Sequence, residues 1–482
     1  MIKSKLEKIV GKENVIDDPK ILEDYTRNRS LTPTKRPRFV VKPNNTEEVQ
    51  KIVRLANENL IPIIPLSSGV NFYDGTIPAQ GGIVVDLRRM NKILKIDERN
   101  RAVRIEPGVT WGNLQDELEK RKLRALNPLL PHPSKSVVSS HLEVEPMLIP
   151  KFEYGEPIYT MEVVLPNGEI FKTGSAAGIG SAKNYQADLV GPYGPGFDFV
   201  RLIQGAQGTL GIVTWMNIKA EPLPQVQKLF FSTFNKIDRL LEFTYRIQRR
   251  MLGYECFALN QFNLALILAE KWPEDFHSLM STIPPWCLIH CLGGTHRLPN
   301  EKVAYEEEDL KEVAQELNVS LKPHIPDIIS STRVILKYLR RPWDSEPYWK
   351  DRYKGGCLDV FFYTNLDRVD NFIKVLSDII LKYGYNFEEV GVYIQPIEYG
   401  RACHLEFNLP YNPKDADELE KAELVQREAC RVFVDMGAIF TRPYGCWSEI
   451  VYSRNVGYSL VSKQIKDVFD PNNIMNPGRL CF

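Results

Sequence analysis

The segment Ile61-Pro-Ile-Ile-Pro-Leu-Ser-Ser-Gly-Val-Asn-Phe-Tyr-Asp-Gly75 decides the fold class. An apolar run that predicts a buried strand ends in a loop of small and turn-favouring residues. Consecutive backbone N–H groups in such a loop can converge on an anion, although an ordinary surface turn would look the same. The candidate binding residues here are Pro65, Ser67, Ser68, Gly69, Val70, Asn71 and Phe72.

Strand and helix signals alternate around this loop. Phe39-Val-Val-Lys precedes a helical stretch that starts at Thr46, and Gly82-Ile-Val-Val-Asp-Leu predicts the next strand. Further strands flank Arg99-Asn100, and a hairpin is predicted at Asn167-Gly168. Sheets of mixed direction are therefore expected over the first 220 or so residues.

The pattern changes after Pro222 and Pro224, and we place a domain boundary near residue 225. Longer helices follow, with strands between them at Leu358-Asp-Val-Phe-Phe-Tyr, Gly391-Val-Tyr-Ile-Gln and His404-Leu-Glu-Phe-Asn. This arrangement predicts an antiparallel sheet covered on one face by helices. The fold class is therefore α+β.

Three later segments agree with a binding role for the first loop. Ile105-Glu-Pro-Gly-Val-Thr-Trp-Gly has a Pro-Gly turn before a helix that Thr110 can cap. Closely spaced glycines follow in Gly205-Ala-Gln-Gly-Thr-Leu-Gly-Ile-Val-Thr214, and Phe469-Asp-Pro-Asn-Asn-Ile-Met-Asn-Pro-Gly-Arg479 closes the chain. The candidate binding residues are Pro107, Gly108, Ser136, Ser139, Ser140, Gly205, Gly208, Thr209, Gly211, Ile212, Val213, Asn476 and Arg479.

In this order, the four segments resemble the flavin-binding signatures of the vanillyl-alcohol oxidase and p-cresol methylhydroxylase family. The resemblance covers roughly residues 35 to 480 and implies a two-part PCMH-type FAD-binding domain with an inserted substrate (cap) domain. The expected division is 1–225 for FAD, 226–444 for the cap, and 445–482 for a segment that returns to the FAD domain. Nicotinamide is not expected, because Gly174, Gly178 and Gly180 have the wrong spacing for a dinucleotide fingerprint.

Two stretches depart from the family pattern. The first loop has Ser67-Ser-Gly-Val70 where relatives often have more glycines, and Ser136-Val-Val-Ser-Ser-His-Leu-Glu143 replaces a glycine-rich stretch. Altered flavin contacts, with binding retained, are expected at both places.

His404 and Glu406 lie two residues apart on a predicted strand and so project from the same face. Such a pair can act as a catalytic base and the residue that orients it, or supply two metal ligands. It can also be a purely structural pair that forms a hydrogen bond inside the sheet. Hydroxy-acid dehydrogenases of the wider superfamily often have a His-containing Gly-Asp-Gly-Asn signature near here, where this chain has Gln395, Glu398 and Arg401. This departure argues against metal-assisted oxidation of a hydroxy acid, and no metal site is predicted.

Thr441-Arg-Pro-Tyr-Gly-Cys-Trp-Ser-Glu-Ile-Val-Tyr-Ser-Arg454 groups Arg442, Tyr444, Tyr452 and Arg454 just before the closing segment. The grouping resembles the phenolate-binding end of alkylphenol-oxidising relatives; a surface ion-pair and aromatic cluster is the alternative. Guanidinium and tyrosine hydroxyl groups would stabilise a phenolate, which loses hydride more readily than the neutral phenol.

The resemblance therefore implies an FAD-dependent enzyme that oxidises a para-substituted phenol or aromatic alcohol by hydride transfer to flavin N5. One alternative is a 2-hydroxy-acid dehydrogenase in which an Arg holds the carboxylate and His404 takes the hydroxyl proton. Another is a relay subunit that passes electrons to a cytochrome or iron–sulfur partner. The expected interactions are with a small aromatic substrate, with a redox protein partner and, in a homo-oligomer, with further copies of the chain.

Bulk properties narrow the remaining partners and the location. Lys plus Arg and Asp plus Glu both number 61, so no net charge draws the chain to nucleic acid. No apolar stretch approaches the roughly 20 residues of a spanning helix, and charges occupy the start where a signal peptide needs an apolar core. A cytoplasmic location is expected.

Overall fold

The structure is a computed structural model, which describes residues 2–26, 34–70, 73–153, 155–178 and 187–482. Its first layer is a four-stranded sheet of order β1-β2-β4-β3, in which β2, β4 and β3 run parallel and β1 is antiparallel. The apolar positions of α3 pack on this sheet, as its helical period requires. The elements are α1 (Ile2–Val10), β1 (Val15–Ile16), α2 (Pro19–Asp24), β2 (Phe39–Val41), α3 (Thr46–Glu58), β3 (Ile63–Leu66) and β4 (Ile83–Asp86).

A second, antiparallel sheet has the order β5-β6-β10-β8-β9, and β7 also pairs with β10. The Asn167-Gly168 hairpin joins β8 to β9, with Gly168 in the left-handed region at φ 80°. Thr110 caps α4 through a hydrogen bond from the N–H of Asn113 at 3.4 Å. The elements are β5 (Ile93–Asp97), β6 (Ala102–Ile105), α4 (Trp111–Glu119), β7 (Leu123–Ala125), α5 (Val137–Leu142), β8 (Ile158–Val164), β9 (Ile170–Lys172), α6 (Phe199–Ile203) and β10 (Ile212–Pro222).

The third sheet is antiparallel and six-stranded, in the order β11-β13-β12-β15-β16-β14. Its strands all fall after residue 225. The elements are β11 (Val226–Phe234), α7 (Ile237–Arg249), β12 (Glu255–Asn260), α8 (Gln261–Leu268), α9 (Glu274–Thr282), β13 (Trp286–Gly294), α10 (Pro299–Glu316), α11 (Ser331–Arg340), β14 (Gly356–Thr364), α12 (Val369–Lys382), β15 (Gly391–Ile397), β16 (Ala402–Tyr411) and α13 (Ala416–Asp435).

Period-two alternation divides the side chains of the third sheet between two faces. Cys403, Leu405 and Phe407 of β16 join the core beneath α7, α10, α12 and α13. The opposite face is also covered, because β11, β12 and β13 pack there against α8, α9 and α11. The prediction of helices on one face only is therefore wrong. On this second face the helices leave the surface of β14, β15 and β16 uncovered. That surface forms the floor of a cavity.

The chain ends back at the first sheet after α14 (Cys446–Arg454) and α15 (Val456–Phe469). Met475 forms a parallel bridge with Ile63 of β3, and the N–H of Asn476 donates to the carbonyl of Ile63 at 2.8 Å. The closing segment thus lies beside the first loop. The division at residues 225 and 444 remains our proposal for the domain limits.

The predicted mixed α+β architecture is confirmed, including both parallel and antiparallel strand pairs. Within the described ranges, no helix combines the length and apolarity needed to cross a membrane.

Candidate functional site

A cleft of about 830 Å³ lies where the first loop, the Pro-Gly turn, α5 and the glycine-containing segment before β10 come together. We call it the flavin cleft. Residues of these segments and of the adjoining parts of the same chain form the wall of the cleft. Arg442 and Tyr444 close one side of it. The sequence-predicted residues in its wall are Pro65, Ser67, Pro107, Ser139, Gly205, Gly208, Gly211, Ile212 and Val213.

Several other predicted binding residues support this wall from behind. Ser136 caps α5 and donates to the carbonyl of Pro107 at 2.6 Å, while Ser140 accepts from the indole N–H of Trp111 at 2.9 Å. Thr209 donates to the carbonyl of Ala206 at 2.7 Å.

The rest of the predicted set lies beside the wall or outside the described chain. The N–H of Gly108 donates to the carbonyl of Met90 at 2.7 Å, and Arg479 donates to the carbonyl of Ile77. Neither residue lines the cleft. The same holds for the loop residues Ser68, Gly69 and Val70, and the predictions at Asn71 and Phe72 lie outside the described residues.

Gly208 and Asn476 set how closely the segments of the cleft approach one another. Gly208 has φ 74°, and a Cβ there would lie 2.5 Å from Cγ of Pro65. The side-chain N–H₂ of Asn476 donates to the carbonyls of Gly75 and Gln207, both at 2.7 Å. A single amide from the closing segment thus ties the first loop to the glycine-containing segment.

The cleft fits FAD in chemistry. Its wall is mainly apolar side chains and glycine backbone, which is typical of cofactor sites. The buried amide oxygens of Gln207 and Asn476 accept no hydrogen bond from any described residue, so acceptors remain for a bound cofactor.

A second cavity of about 570 Å³ lies over the open part of the third sheet, and we call it the substrate cavity. Arg442 lines both this cavity and the flavin cleft, and so marks their junction. Aromatic and proline side chains form much of the wall. These are Tyr73, Pro128, Pro131, Pro146, Tyr348, Trp349 and Tyr393.

Arg442 is buried without a carboxylate partner. Its guanidinium carbon lies 3.9 Å from the ring centroid of Phe361 and 5.8 Å from that of Tyr73. No carboxylate of the described chain lies within 4 Å of it, and its buried Nε has no hydrogen-bond partner there. Aromatic faces compensate part of the desolvation of such a cation. The remaining positive charge is available to an anion in the substrate cavity.

The floor of the substrate cavity is a polar network on β16 and its two neighbours. His404, Glu406 and Asn408 project from one face of β16, as the alternation predicts. Glu406 accepts from Nζ of Lys350 at 2.6 Å, from Asn408 at 2.8 Å, and from Nε2 of His404 at 3.2 Å. The same Lys350 ammonium donates to Asp359 at 2.7 Å.

The charges of this network are fixed by their partners. Burial raises the pKa of Glu406, but Lys350 and His404 outweigh burial and hold that pKa well below its usual range. Burial lowers the pKa of Lys350, but Asp359 and Glu406 raise it well above the ordinary value. Burial also lowers the pKa of His404, against the opposing effect of Glu406. Nε2 is the ring nitrogen of His404 that faces the Glu406 carboxylate.

The grouped Arg and Tyr residues do not all reach the site. Tyr444 is buried, lines the flavin cleft, and stacks on Tyr73 with ring centroids 4.8 Å apart. Tyr452 stacks instead with Tyr458, and Arg454 is exposed and pairs with Asp435 at 3.0 Å. Neither residue lines the flavin cleft or the substrate cavity. His404 lines neither of them; it lies next to Glu406 on the same face of β16, among the rings of Phe361, Tyr363 and Tyr393.

Sequence reasoning missed several residues of the substrate cavity. Tyr73 lies in the first loop, and Asp359 interrupts an otherwise apolar strand, which was a usable signal. Lys350 lies in a short 3₁₀ turn (Trp349–Asp351) before β14, where no local pattern marks it. Among the residues that the structure covers, no group of three or more His, Cys, Asp or Glu is arranged to hold a metal ion.

Known proteins match the chain over its whole length. A family model described as an FAD binding domain matches residues 37–174. A D-lactate dehydrogenase of Anaerostipes hadrus is 32% identical, over 99% of this chain and 96% of that protein. The 4-cresol dehydrogenase (hydroxylating) flavoprotein subunit of Pseudomonas putida is 32% identical over 49% of this chain and 46% of its own.

The fold of a solved p-cresol methylhydroxylase with substrate bound superposes with a TM-score of 0.87. That comparison covers 100% of this chain and 96% of the other, at 20% sequence identity. The likeness of fold, the FAD-binding family model and the full-length relative agree. The chain belongs to the FAD-dependent oxidoreductases that have a PCMH-type FAD-binding domain.

Proposed function

We propose that this enzyme oxidises para-substituted phenols or aromatic alcohols, and that Arg442 holds the ionised phenol oxygen. The observation that carries the proposal is the buried guanidinium at the junction of the flavin cleft and the substrate cavity, without a carboxylate partner among the described residues. A bound FAD would accept the hydride that leaves the substrate. The protein's own contribution is to hold and ionise the phenol beside that cofactor.

The physical role of Arg442 is to stabilise phenolate more than phenol. A guanidinium in a buried site interacts strongly with an anion, because little water is present to screen the charge. The negative charge on the phenol oxygen then assists departure of hydride from the carbon attached at the para position. Because this stabilisation differs between phenol and phenolate, it should appear in the chemical step.

Aromatic side chains supply the second part of the argument. Tyr73 and Tyr444 stack beside Arg442, with their ring planes 6° apart, and Tyr348, Trp349 and Tyr393 line the cavity beyond. Such walls suit a flat ring that needs to be held in one orientation. A small aliphatic acid would leave much of this surface unfilled.

The 2-hydroxy-acid reading is the second candidate, favoured by the full-length relative named D-lactate dehydrogenase. In that reading Arg442 would hold the carboxylate. His404 would be the base, but it is fully buried beside Glu406, among aromatic rings, and lines neither cavity. A substrate could meet its unpartnered Nδ1 only after neighbouring side chains moved, which makes this the weaker reading.

The electron acceptor is proposed to be a redox protein. Support comes only from the relative named as the flavoprotein subunit of 4-cresol dehydrogenase, whose name implies a further subunit. Co-purification of a cytochrome or iron–sulfur protein with the chain, and faster reoxidation of reduced flavin by that protein than by oxygen, would support it. Reoxidation by oxygen alone would count against it.

A coloured phenol tests the central contact without turnover. 4-Nitrophenol has no C–H bond at its para substituent, so it cannot donate hydride, and its colour reports its ionisation. We expect it to bind the FAD-loaded protein as phenolate, with its pKa lowered relative to solution. The pKa should return toward the solution value in Arg442→Met. Binding only as the neutral phenol, or no binding, would argue against the proposal.

A further inference from the structure

The charged groups around the substrate cavity are not distributed at random. Besides His132, its charged lining consists of three cations and three carboxylates: Lys135, Lys350, Arg442, Glu145, Asp359 and Glu406. Each lysine is held between two carboxylates. Lys350 pairs with Asp359 and Glu406, and Lys135 pairs with Glu143 at 2.7 Å and with Glu145.

Both lysines are therefore already neutralised by their own partners. Burial lowers the pKa of Lys135, but the charges of Glu143 and Glu145 outweigh it and raise that pKa. Burial raises the pKa of Glu145, but Lys135 and Arg442 outweigh burial and lower that pKa. Each cluster has one ammonium group and two carboxyl groups, so its acidic groups outnumber its basic group.

Arg442 is consequently the one lining cation, among the described residues, that has no carboxylate within 4 Å. A phenolate at Arg442 would use up this charge. Two ammonium groups would then face three lining carboxylates, so the rest of the cavity would carry excess negative charge. A second anion in the same low-dielectric space would meet like charges, which is a strongly unfavourable arrangement.

We propose that the substrate cavity selects the para substituent of its phenol by charge, accepting hydroxyl or ammonium groups and rejecting carboxylates. Glu145 and Glu406 are the specificity-determining residues, because both line the cavity and hold the two lysines. This inference rests on the proposed function and adds the class of side chain that the phenol carries. Hydroxyl and ammonium groups donate hydrogen bonds to carboxylates, whereas a carboxylate cannot.

Three phenols of nearly equal shape test the proposal. Tyrosol, tyramine and 4-hydroxyphenylacetate have the same phenol ring and one methylene, followed by a terminal CH₂OH, CH₂NH₃⁺ or COO⁻ group. Their dissociation constants are measured anaerobically with FAD-loaded protein, from the change in the flavin absorption spectrum on binding. Where the phenol reduces the flavin, the constant is taken from the dependence of the reduction rate on phenol concentration. We expect 4-hydroxyphenylacetate to bind at least about tenfold more weakly than tyrosol, and tyramine to bind at least as tightly as tyrosol.

Glu145→Gln and Glu143→Gln form a matched pair. Each removes one carboxylate from Lys135 and leaves the other in place, so the lysine stays paired. Glu145 lines the substrate cavity, however, whereas Glu143 lines the flavin cleft. Glu145→Gln should reduce the discrimination against 4-hydroxyphenylacetate by about threefold or more, and Glu143→Gln should change it less.

The outcomes separate this inference from the function on which it rests. Equal binding of 4-hydroxyphenylacetate and tyrosol, or equal effects of the two substitutions, would overturn charge selection and leave phenol oxidation standing. Failure of all three phenols to bind would overturn both. A Glu145→Gln protein that does not fold would be replaced by Glu406→Gln, which must show the same loss of discrimination.

Discussion

Replacing Arg442 by Met removes a positive charge while keeping most of the side-chain stem. Arg442 is 3% exposed, and its guanidinium has aromatic rings beside it and no carboxylate of the described chain within 4 Å. Its charge is therefore available to the phenol oxygen of the proposed substrate. Loss of one preorganised contact of this kind costs about 2.7–4 kcal/mol of transition-state stabilisation. We therefore expect flavin reduction by 4-ethylphenol to slow by about 100- to 1,000-fold.

The assay is anaerobic rapid mixing of FAD-loaded protein with saturating 4-ethylphenol, followed through the loss of flavin absorption. Arg454→Met is the matched control, because it removes an exposed guanidinium that pairs with Asp435 and lines neither cavity. The control should reduce at the wild-type rate. FAD content and melting temperature are measured in parallel to separate chemistry from folding. An Arg442→Met protein with bound FAD and an unchanged reduction rate would refute the reasoning.

Three further predictions concern cofactor binding and stability. Gly208→Ala should weaken FAD binding by about tenfold or more, because the new Cβ would meet Pro65, whereas Gly384→Ala, with a similar positive φ and open space, should not; titration with FAD measures both. Lys350→Met should lower the free energy of unfolding by about 3–5 kcal/mol in urea titrations, since it removes the only lysine or arginine that pairs with two buried carboxylates among the described residues. A loss below about 1 kcal/mol would contradict this network. Because the pKa of Glu406 is lowered on folding, its contribution to the free energy of unfolding should be complete above about pH 4.3 and fade as the pH falls further. Glu406→Gln should therefore lose less of this free energy on acidification than the parent protein. An equal loss would count against the lowered pKa.

Much of the lining of the flavin cleft, our proposed cofactor site, could be predicted from sequence, because backbone demands leave local marks. A glycine that must approach Pro65, a serine that caps α5 and an asparagine in a closing Asn-Pro-Gly turn are each visible as residue types at fixed spacing. Local patterns did not separate residues that touch the cleft from those that support it. Ser136 and Asn476 proved to brace the wall, and this depends on segments far apart in sequence.

The substrate cavity was less predictable, since it depends on long-range contacts. Alternation correctly put His404 and Glu406 on one face, but it could not show that Glu406 lines the cavity whereas its neighbour His404 is fully buried and does not. Lys350 comes from a turn more than fifty residues before its partner Glu406. Tyr452 and Arg454 are close to Arg442 in sequence, but α14 carries them to a different surface.

The most direct test of phenol oxidation is the rate of flavin reduction in the wild-type protein, measured anaerobically with 4-ethylphenol and with D-lactate. We expect rapid reduction by 4-ethylphenol and little or none by D-lactate. Rapid reduction by D-lactate, with no reduction by 4-ethylphenol or other para-substituted phenols, would contradict it and establish the hydroxy-acid reading instead.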